Sequence, residues 1–381
     1  MTDSTARAAA TAQPDAPLHW ADPARQAAFE FWLQQVTPRQ ALVPGSVCLA
    51  SADASFRRYL RLDCRDGAGT RIIMDAPPDK EDCKPFVHVA GLLAEAGLNA
   101  PRVLEWDETH GFMLLNDLGA HTLMQHIQAT QAVQGDAMLP QPAPSAAVRA
   151  WYQQALDALL RWQLASRPGE LPVYDEPLLR RELALFPDWY LTRHRQAAPD
   201  ATEQAMLDRL FGLIVQRNLA APAVYVHRDY MPRNLMLTAE GTLGILDFQD
   251  AVYGPATYDI ASLMRDAFWT WDEEFVIDVT VRYWERARKA GLMDFEDWHA
   301  DFGAFFRAVE WMGLQRHLKV AGIFARLTLR DGKPRYLADA PRFIQYLRAT
   351  AARYRELTPL LRLIDRVEGI NAPSGYAFGR L

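Results

Sequence analysis

The sequence contains few cysteines and no long uninterrupted hydrophobic run. Its three cysteines, Cys48, Cys64 and Cys83, form an odd and widely spaced set that fits neither a zinc motif nor a disulfide framework. No window reaches 18 consecutive apolar residues, so we predict no membrane-spanning helix. The N-terminus carries Asp3 and Arg7 and lacks the apolar segment of a secretory signal. These absences predict a reduced cytoplasmic protein without membrane association.

Positive charge is not in excess either. Lys and Arg number 41 against 47 Asp and Glu, which gives a net charge of −6 and argues against a nucleic-acid partner. The composition is 50% hydrophobic and 11% aromatic, which excludes a disordered chain and allows a sizeable core. A length of 381 residues admits two or three domains or one two-lobed unit. No feature indicates an obligate protein partner.

The first third of the chain alternates between strand and turn patterns. Residues 1–22 are rich in Ala, Thr and Pro and are expected to be mobile. Apolar spacing predicts a helix at 24–36 that ends before Pro38. The further predicted elements are three strands between Cys48 and Asp75, a helix from Glu81 to Leu98, and strands at Val103–Trp106 and Gly111–Leu115. Residues 23–115 therefore predict a mostly antiparallel N-terminal lobe, which a hinge at 116–119 follows.

The remainder of the chain is mainly helical in pattern. We assign 120–366 to a C-terminal lobe, 367–381 to a tail, and the Ala/Gln/Pro-rich stretch 129–148 to a surface loop. Predicted helices cover 149–166, 177–196, 201–219, 257–270, 274–290, 297–326 and 340–357. The fold class is therefore α+β, with a small antiparallel β lobe followed by a larger α-helical one.

Chemistry is concentrated in residues 224–250. The run Val-Tyr-Val predicts a strand that ends just before His227-Arg228-Asp229, and Asn234 follows five residues later. The segments LMLT and TLGIL then predict a hairpin whose second arm ends at Asp247. Because a hairpin returns its two ends to one place, we expect Asn234 and Asp247 to lie close together beside Asp229.

Such a cluster suits phosphoryl transfer. An amide oxygen and a carboxylate, from Asn234 and Asp247, can hold Mg²⁺, which takes phosphate and water oxygens as further ligands. Asp229 is then left to accept a hydroxyl proton from the acceptor. Separately, these residues could simply cap or begin turns, but their joint spacing favours a phosphotransferase site.

The segments HRDYMPRN and DFQD resemble the catalytic and metal-binding loops of the protein-kinase-like fold. Asp247 is followed by Phe-Gln-Asp and by no activation segment, so the sequence is more similar to the aminoglycoside phosphotransferase-like branch than to protein kinases. Within that branch, blocks such as YDEPLLRRELALFPDWYL and EWMGLQRHLKVAGIFARL resemble the anomeric sugar kinases of peptidoglycan recycling. The resemblance covers roughly residues 45–365.

The resemblance implies a bilobal fold and an ATP- and Mg²⁺-dependent kinase. It implies phosphorylation of N-acetylmuramate and N-acetylglucosamine at C1, towards UDP-N-acetylmuramate. Asp229 would be the catalytic base, Asn234 and Asp247 the metal ligands, and Asp259 a structural acid that braces the catalytic loop.

It also implies where the nucleotide binds. Candidate residues are Ser51, Ser55 and Arg58 for the phosphates, and the backbone of Leu115, Asn116 and Leu118 for the adenine. The third strand lacks the usual kinase lysine. Candidate replacements are Arg57, Arg58, Lys80 and Lys84, and Glu81 is the candidate pairing acid on the following helix.

Acceptor selection is assigned to the C-terminal lobe. Trp311, Gln315 and Lys319 share one helix face, which suits a hexose ring, although a buried core face is the alternative. Further candidates are Tyr253, Arg265, Asp266 and Glu310. The other functions left open are an aminoglycoside, choline or homoserine kinase of the same fold and a nucleotide-binding pseudokinase.

Overall fold

The computed structural model describes residues 18–52, 56–65, 67, 69–131, 140–141 and 144–370. The chain divides into two compact units, which we call the sheet unit (1–120 with 237–250) and the helical unit (121–236 with 251–381). The expectations for Ser55, for most of 1–22, for half of 129–148 and for most of 367–381 fall outside the described residues.

The sheet unit contains a five-stranded antiparallel sheet in the order β1-β2-β3-β5-β4. Its strands are β1 (Cys48–Ala52), β2 (Arg58–Asp63), β3 (Thr70–Asp75), β4 (Val103–Asp107) and β5 (Phe112–Asn116). In β2, Leu60 and Leu62 are fully buried because alternate side chains of a strand point to the same face. The five predicted strands are confirmed.

Two helices of this unit differ from prediction at their ends. Helix α1 (Pro23–Gln40) begins where Asp22 accepts a hydrogen bond from the Ala24 N–H, and it continues through Pro38. The expected end before Pro38 is wrong, because the buried face of α1 packs into the core and its last turn tolerates the proline. Helix α2 (Lys84–Glu95) begins at Lys84 with a proline in its first turn. Glu81 therefore precedes the helix.

Residues 237–250 group with the sheet unit, whereas the predicted boundaries place them in the C-terminal lobe. The Ile245 N–H donates to the Asn99 carbonyl at 2.8 Å, and the Phe248 ring lies 4.8 Å from that of Phe86 on α2. The predicted hairpin is present. Thr238 and Thr242 close its turn through a backbone hydrogen bond of 2.9 Å.

The described residues of the helical unit form mainly helices, together with a strand pair. Its helices are α3 (Leu123–Thr130), α4 (Ala146–Leu164), α5 (Glu176–Leu183), α6 (Ala201–Ala220), α7 (Tyr258–Met264), α8 (Glu273–Lys289), α9 (Phe302–Leu329), α10 (Ala340–Arg353) and α11 (Thr358–Glu368). The predicted helix 177–196 is instead α5 followed by a π-helical turn at Phe186–His194. Helix α11 is a further element that the periodicity does not predict.

One strand of this pair lies before residues 227–250 in the sequence, and the other lies after them. Strand β6 (Ala223–Val226) pairs antiparallel with a strand at Val252–Pro255, with Tyr225 opposite Tyr253. Two three-residue strands, β7 (Leu235–Leu237) and β8 (Leu243–Ile245), lie between them in sequence, so the strand at Val252–Pro255 is β9. The sequence predicts β6 but not β9. None of the helices in the described ranges is long and apolar enough to cross a membrane.

Candidate active site

The loop 227–234 starts directly after β6 and is held by a buried carboxylate. The N–H groups of His227 and Arg228 donate to the two carboxylate oxygens of Asp259 on α7, at 2.7 and 3.0 Å. Burial raises the pKa of Asp259 to about 6, although both N–H donors and the His227 charge act to lower it. Asp259 therefore braces this loop, as expected.

Arg228 turns the loop through a left-handed backbone conformation, with φ of 74°. Its Nη2 lies 2.5 Å from Oε1 of Glu182 on α5, and Glu182 also binds Lys319 Nζ at 3.1 Å and the Tyr174 hydroxyl. Burial opposes ionisation of Glu182, but Lys319 and Arg228 hold its pKa below the usual value. We call these four side chains the Glu182 cluster.

Sequence reasoning missed Glu182. Its signal is an acidic residue on the buried face of α5, since Leu179, Glu182 and Leu183 are spaced i, i+3, i+4 and all are buried. A carboxylate at such a position needs an internal cation, because an unpaired buried charge is strongly unfavourable.

The carboxylate of Asp229 is surrounded by positive charge, and its side chain is 41% exposed. Burial would raise the pKa of Asp229, but the charges of Lys319, Arg316 and Arg228 outweigh this and lower it below the usual value. Arg316 Nη2 is 3.9 Å from Asp229 Oδ1. Asp229 is therefore an ionised, accessible carboxylate, which is what a proton acceptor requires.

The two predicted metal ligands belong to different units. Asn234, in the helical unit, donates from Nδ2 to the Asp229 carbonyl at 2.9 Å. Asp247, in the sheet unit, has a left-handed backbone with φ of 61°, and its Oδ1 accepts from Gln249 Nε2 at 2.9 Å. Strained backbone of this kind is frequent at functional sites. That both side chains share one cation stays a prediction.

The charged candidates for phosphate binding are engaged in ion pairs. Arg58 binds Asp75 through Nε and Nη2, at 3.0 and 2.5 Å. Arg57 Nη2 lies 3.0 Å from Glu81, so these two predicted residues do meet. Lys80 and Lys84 are exposed and pair with neighbouring acids at the surface.

The remaining nucleotide candidates lie in the sheet or directly after it. Ser51 is in β1 opposite Tyr59, and Leu115 is in β5 opposite Ile72. Asn116 Oδ1 accepts from the Arg102 N–H at 2.5 Å, and Leu118 is buried. Their contact with a nucleotide stays a prediction.

Helix α9 buries its acceptor candidates. Trp311 is 1% exposed and lies under the Arg217 guanidinium at 4.4 Å, so its ring offers no open face to a sugar. Gln315 is fully buried and donates to the Leu179 carbonyl at 3.1 Å. Glu310 pairs with Arg353 and accepts from the Tyr354 hydroxyl. The structure therefore places these three in the core, whereas Lys319 belongs to the Glu182 cluster.

The other acceptor candidates differ in position. Tyr253 is half-buried in β9, and its carbonyl accepts from the Tyr174 N–H at 2.8 Å. Arg265 pairs with Glu273 at 2.6 Å. Asp266 is buried, accepts from the Phe268 N–H at 3.2 Å, and faces Arg316. Asp266 and Asp229 have Arg316 as a shared charged neighbour.

Comparison with known proteins places this chain in a family. Residues 46–299 match the model of the phosphotransferase enzyme family. The chain is 46% identical over 353 residues to the N-acetylmuramate/N-acetylglucosamine kinase of Pseudomonas aeruginosa, covering 90% of this chain and 97% of that protein. It is 44% identical to the enzyme of the same name from Neisseria meningitidis, covering 91% of this chain and 96% of that protein.

A solved structure supports the fold independently. An ethanolamine kinase of Plasmodium vivax aligns with a TM-score of 0.56, at 10% identity, over 90% of both chains. The predicted α+β kinase-like fold is thereby confirmed. The family match and the two relatives show that the chain belongs to the phosphotransferase enzyme family and is a small-molecule kinase.

Proposed function

We propose that this enzyme transfers the γ-phosphoryl group of ATP to the C1 hydroxyl of N-acetylmuramate and N-acetylglucosamine. The observation that carries the proposal is the ionised, accessible Asp229 in a loop braced by Asp259. The chain is also similar to two N-acetylmuramate/N-acetylglucosamine kinases over almost their whole length. The product, a sugar 1-phosphate, would serve peptidoglycan recycling in the cytoplasm towards UDP-N-acetylmuramate.

Asp229 acts as the base in this proposal. Its carboxylate accepts a hydrogen bond from the C1 hydroxyl and takes the proton as the oxygen bonds to phosphorus and the bond to ADP breaks. The cations around it keep it ionised before the acceptor binds. The Asn234 hydrogen bond to the Asp229 carbonyl fixes the loop in the conformation that presents this carboxylate.

The donor chemistry of Asn234 and Asp247 fits Mg²⁺, and we assign the cation to them. Asn234 is anchored through its amide nitrogen, so the amide oxygen is the atom that a hard cation would take. When bound, Mg²⁺ would neutralise phosphate charge. We assign the ATP phosphates to Ser51 and Ser55 and the adenine to the backbone of Leu115, Asn116 and Leu118.

The test is ADP release with MgATP and a panel of acceptors: N-acetylmuramate, N-acetylglucosamine, glucose, kanamycin and choline. Loss of the sugar reducing end is followed in parallel, because phosphorylation at C1 removes the free anomeric hydroxyl. We expect both signals with the two amino sugars. ADP release with kanamycin or choline alone, or without reducing-end loss, would contradict the proposal.

Asp229→Asn tests the base. We expect kcat to fall on the order of 10²-fold or more in a variant that is still folded at the assay temperature, because the amide cannot take the proton. Asp208→Asn is the matched control, since Asp208 is an exposed acid on α6 of the same unit. Turnover of the Asp229→Asn enzyme at the wild-type rate would exclude Asp229 as the base.

A further inference from the structure

Arg233 is a cation of the loop 227–234 that has no acid of its own. It lies in the short 3₁₀ turn Pro232–Asn234 and is half-buried. In the described residues its guanidinium forms no hydrogen bond or ion pair, whereas Arg228 of the same loop is paired with Glu182. A half-buried arginine without a counter-charge gives up part of its hydration and gains no ion pair in return. Such a position fits a site that a bound anion completes.

An aromatic ring holds the guanidinium of Arg233 in place. Its Cζ lies 4.5 Å from the centre of the Phe268 ring. Phe268 is itself fixed, because its N–H donates to Oδ1 of the buried Asp266 at 3.2 Å and its ring lies 6.1 Å from that of Phe324 on α9. A guanidinium that stacks on a ring keeps its N–H groups in its own plane. The contact therefore orients the donors of Arg233 without using them.

The acids of this region are matched with other cations. Asp266 is the buried acid on which the Arg233 charge acts, and Arg316 and Arg342 act on it more strongly. The carboxylate of the Glu182 cluster has two cations of its own. Among these groups, Arg233 is therefore left as a positive charge that a ligand can neutralise.

Arg233 is close to the proposed base along the chain, and the loop folds back between them. The Asn234 side chain donates to the Asp229 carbonyl at 2.9 Å, which closes the segment that contains Arg233. Arg316 relates the two side chains: its Nη2 lies 3.9 Å from Asp229 Oδ1, and its charge and that of Arg233 both act on Asp266. An anionic group bound by Arg233 would therefore lie near the hydroxyl that Asp229 receives.

The two proposed acceptors differ by one anionic group. N-acetylmuramate carries a lactyl ether on O3, whose carboxylate is ionised at neutral pH, whereas N-acetylglucosamine has a free hydroxyl there. Because C1, C2 and C3 are consecutive ring carbons, a sugar whose C1 hydroxyl meets the base has its lactyl group within reach of a neighbouring long side chain. A planar guanidinium binds a carboxylate through two parallel N–H donors.

We propose that Arg233 binds the lactyl carboxylate of N-acetylmuramate and thereby sets the preference of the enzyme for this sugar over N-acetylglucosamine. The inference rests on the proposed function, because it requires that both sugars are acceptors. It predicts that discrimination depends on the charge of the sugar and on the arginine together. The other anion in the reaction is the transferred phosphoryl group, and a role of Arg233 there would affect all acceptors alike.

The experiment pairs a change in the enzyme with a change in the sugar. With saturating MgATP, kcat and KM are measured for N-acetylmuramate, its lactyl carboxamide and N-acetylglucosamine. The carboxamide keeps the size of the lactyl group and removes its charge. The enzymes are the wild type, Arg233→Gln, Arg233→Lys and a control, Arg288→Gln. Arg288 on α8 is also half-buried and stacks on an aromatic ring, that of Trp284, at 4.7 Å. Thermal midpoints report folding.

For the wild type we expect kcat/KM for N-acetylmuramate to exceed that for its carboxamide by about 30-fold, mainly through KM. In Arg233→Gln this ratio should fall to about one, while kcat/KM for N-acetylglucosamine stays within about threefold of the wild-type value. Arg233→Lys should keep part of the ratio, because it retains the charge and loses the two-pronged geometry. Arg288→Gln should keep the wild-type ratio.

Equal kcat/KM for the acid and the carboxamide in the wild type would overturn the proposal, and this comparison needs no variant to fold. An equal loss for all three sugars in Arg233→Gln would also overturn it, since damage to Asn234 or to phosphoryl transfer lowers every rate and leaves the ratio unchanged. A wild-type enzyme without turnover on either amino sugar would instead refute the proposed function. Turnover on both sugars with a wild-type ratio in Arg233→Gln would refute only this inference.

Discussion

Two buried carboxylates of this molecule each bind two cations, one in each unit. In the sheet unit, Asp75 is paired with Arg25 and Arg58, both at 2.5 Å. In the helical unit, Glu182 is paired with Arg228 at 2.5 Å and Lys319 at 3.1 Å. The side chains of Asp75 and Glu182 are 4% and 6% exposed, so the two arrangements are chemically alike.

The partners differ in what they belong to. Arg25 lies on α1 and Arg58 on β2, where it also stacks on Trp20 at 3.9 Å, so the Asp75 pairs join the first helix to the sheet. Arg228 precedes the proposed base, so the Glu182 cluster fixes the catalytic loop. The same interaction thus supports the fold in one unit and the active site in the other. Removing each carboxylate separates the two roles.

Glu182→Gln should have the largest effect. It leaves Arg228 and Lys319 without their counter-charge in a buried place and frees the loop, so we expect kcat to fall by about 10²-fold. The free energy of unfolding should fall by about 3 kcal/mol, the usual cost of breaking a buried pair. Steady-state kinetics measures the change in kcat, and urea unfolding measures the change in the free energy of unfolding. The control is Glu176→Gln on the same helix, where Glu176 pairs with Arg180 at the surface and should matter little.

Asp75→Asn should lower stability but not turnover. Arg25 and Arg58 are 18% and 23% exposed, so water solvates them in part once the carboxylate is lost. We expect a decrease of about 2 kcal/mol in the free energy of unfolding, with kcat within about twofold of wild type at a temperature where the variant is folded. Asp79→Asn, at an exposed position of the same unit, is the control. A large loss of kcat in Asp75→Asn would contradict the distinction between a carboxylate that supports the fold and one that supports the active site.

Asp266→Asn compares the two paired carboxylates with an unpaired one, through the pH dependence of stability. Asp266 is a buried acid without an ion pair within 4 Å in the described residues. Burial raises the pKa of Asp266 from 3.8 to about 6, although Arg316, Arg342 and Arg233 act to lower it. The folded protein therefore binds this proton more tightly than the unfolded chain. The stability that it contributes is full below about pH 4 and is lost as the pH rises through 6.

As the pH rises from 4 to 7, we expect the free energy of unfolding of Asp266→Asn to increase by about 2 kcal/mol relative to that of the wild type. Asp208→Asn should track the wild type across this range. A constant difference between Asp266→Asn and wild type at all pH values would show that Asp266 does not titrate there.

Local pattern predicted the parts of the molecule that depend on neighbours in sequence. The five strands of the sheet, the hairpin, and the loop from His227 to Asn234 all follow from alternation and spacing over a few residues. Long-range pairs could not be predicted this way. Arg228 and Glu182 are 46 residues apart, and Arg25 and Asp75 are 50 apart. Nothing in the periodicity of either segment specifies its partner.

For α9 the sequence leaves an open sugar-binding face and a buried core face as alternatives, and the structure favours the core for Trp311 and Gln315. An open face of Trp311, Gln315 and Lys319 requires that the helix has a solvent side. The structure buries every residue from Val309 to Gly322, so α9 is surrounded by other elements. Buried polar residues in such a helix must be satisfied internally or serve a site. Arg316 and Lys319 are found at the proposed base for that reason.

The pairing of β6 with β9 has a consequence for chain entropy. About 25 residues, including Asp229, Asn234 and Asp247, leave the end of β6 and return to the start of β9. Closing a loop of this length costs about 3 kcal/mol beyond a constant term. Four residue pairs of β6 and β9 offset that cost. The strand pair contains none of the three proposed functional residues, yet it contributes to their order together with the Asp259 brace and the contacts of Ile245 and Phe248.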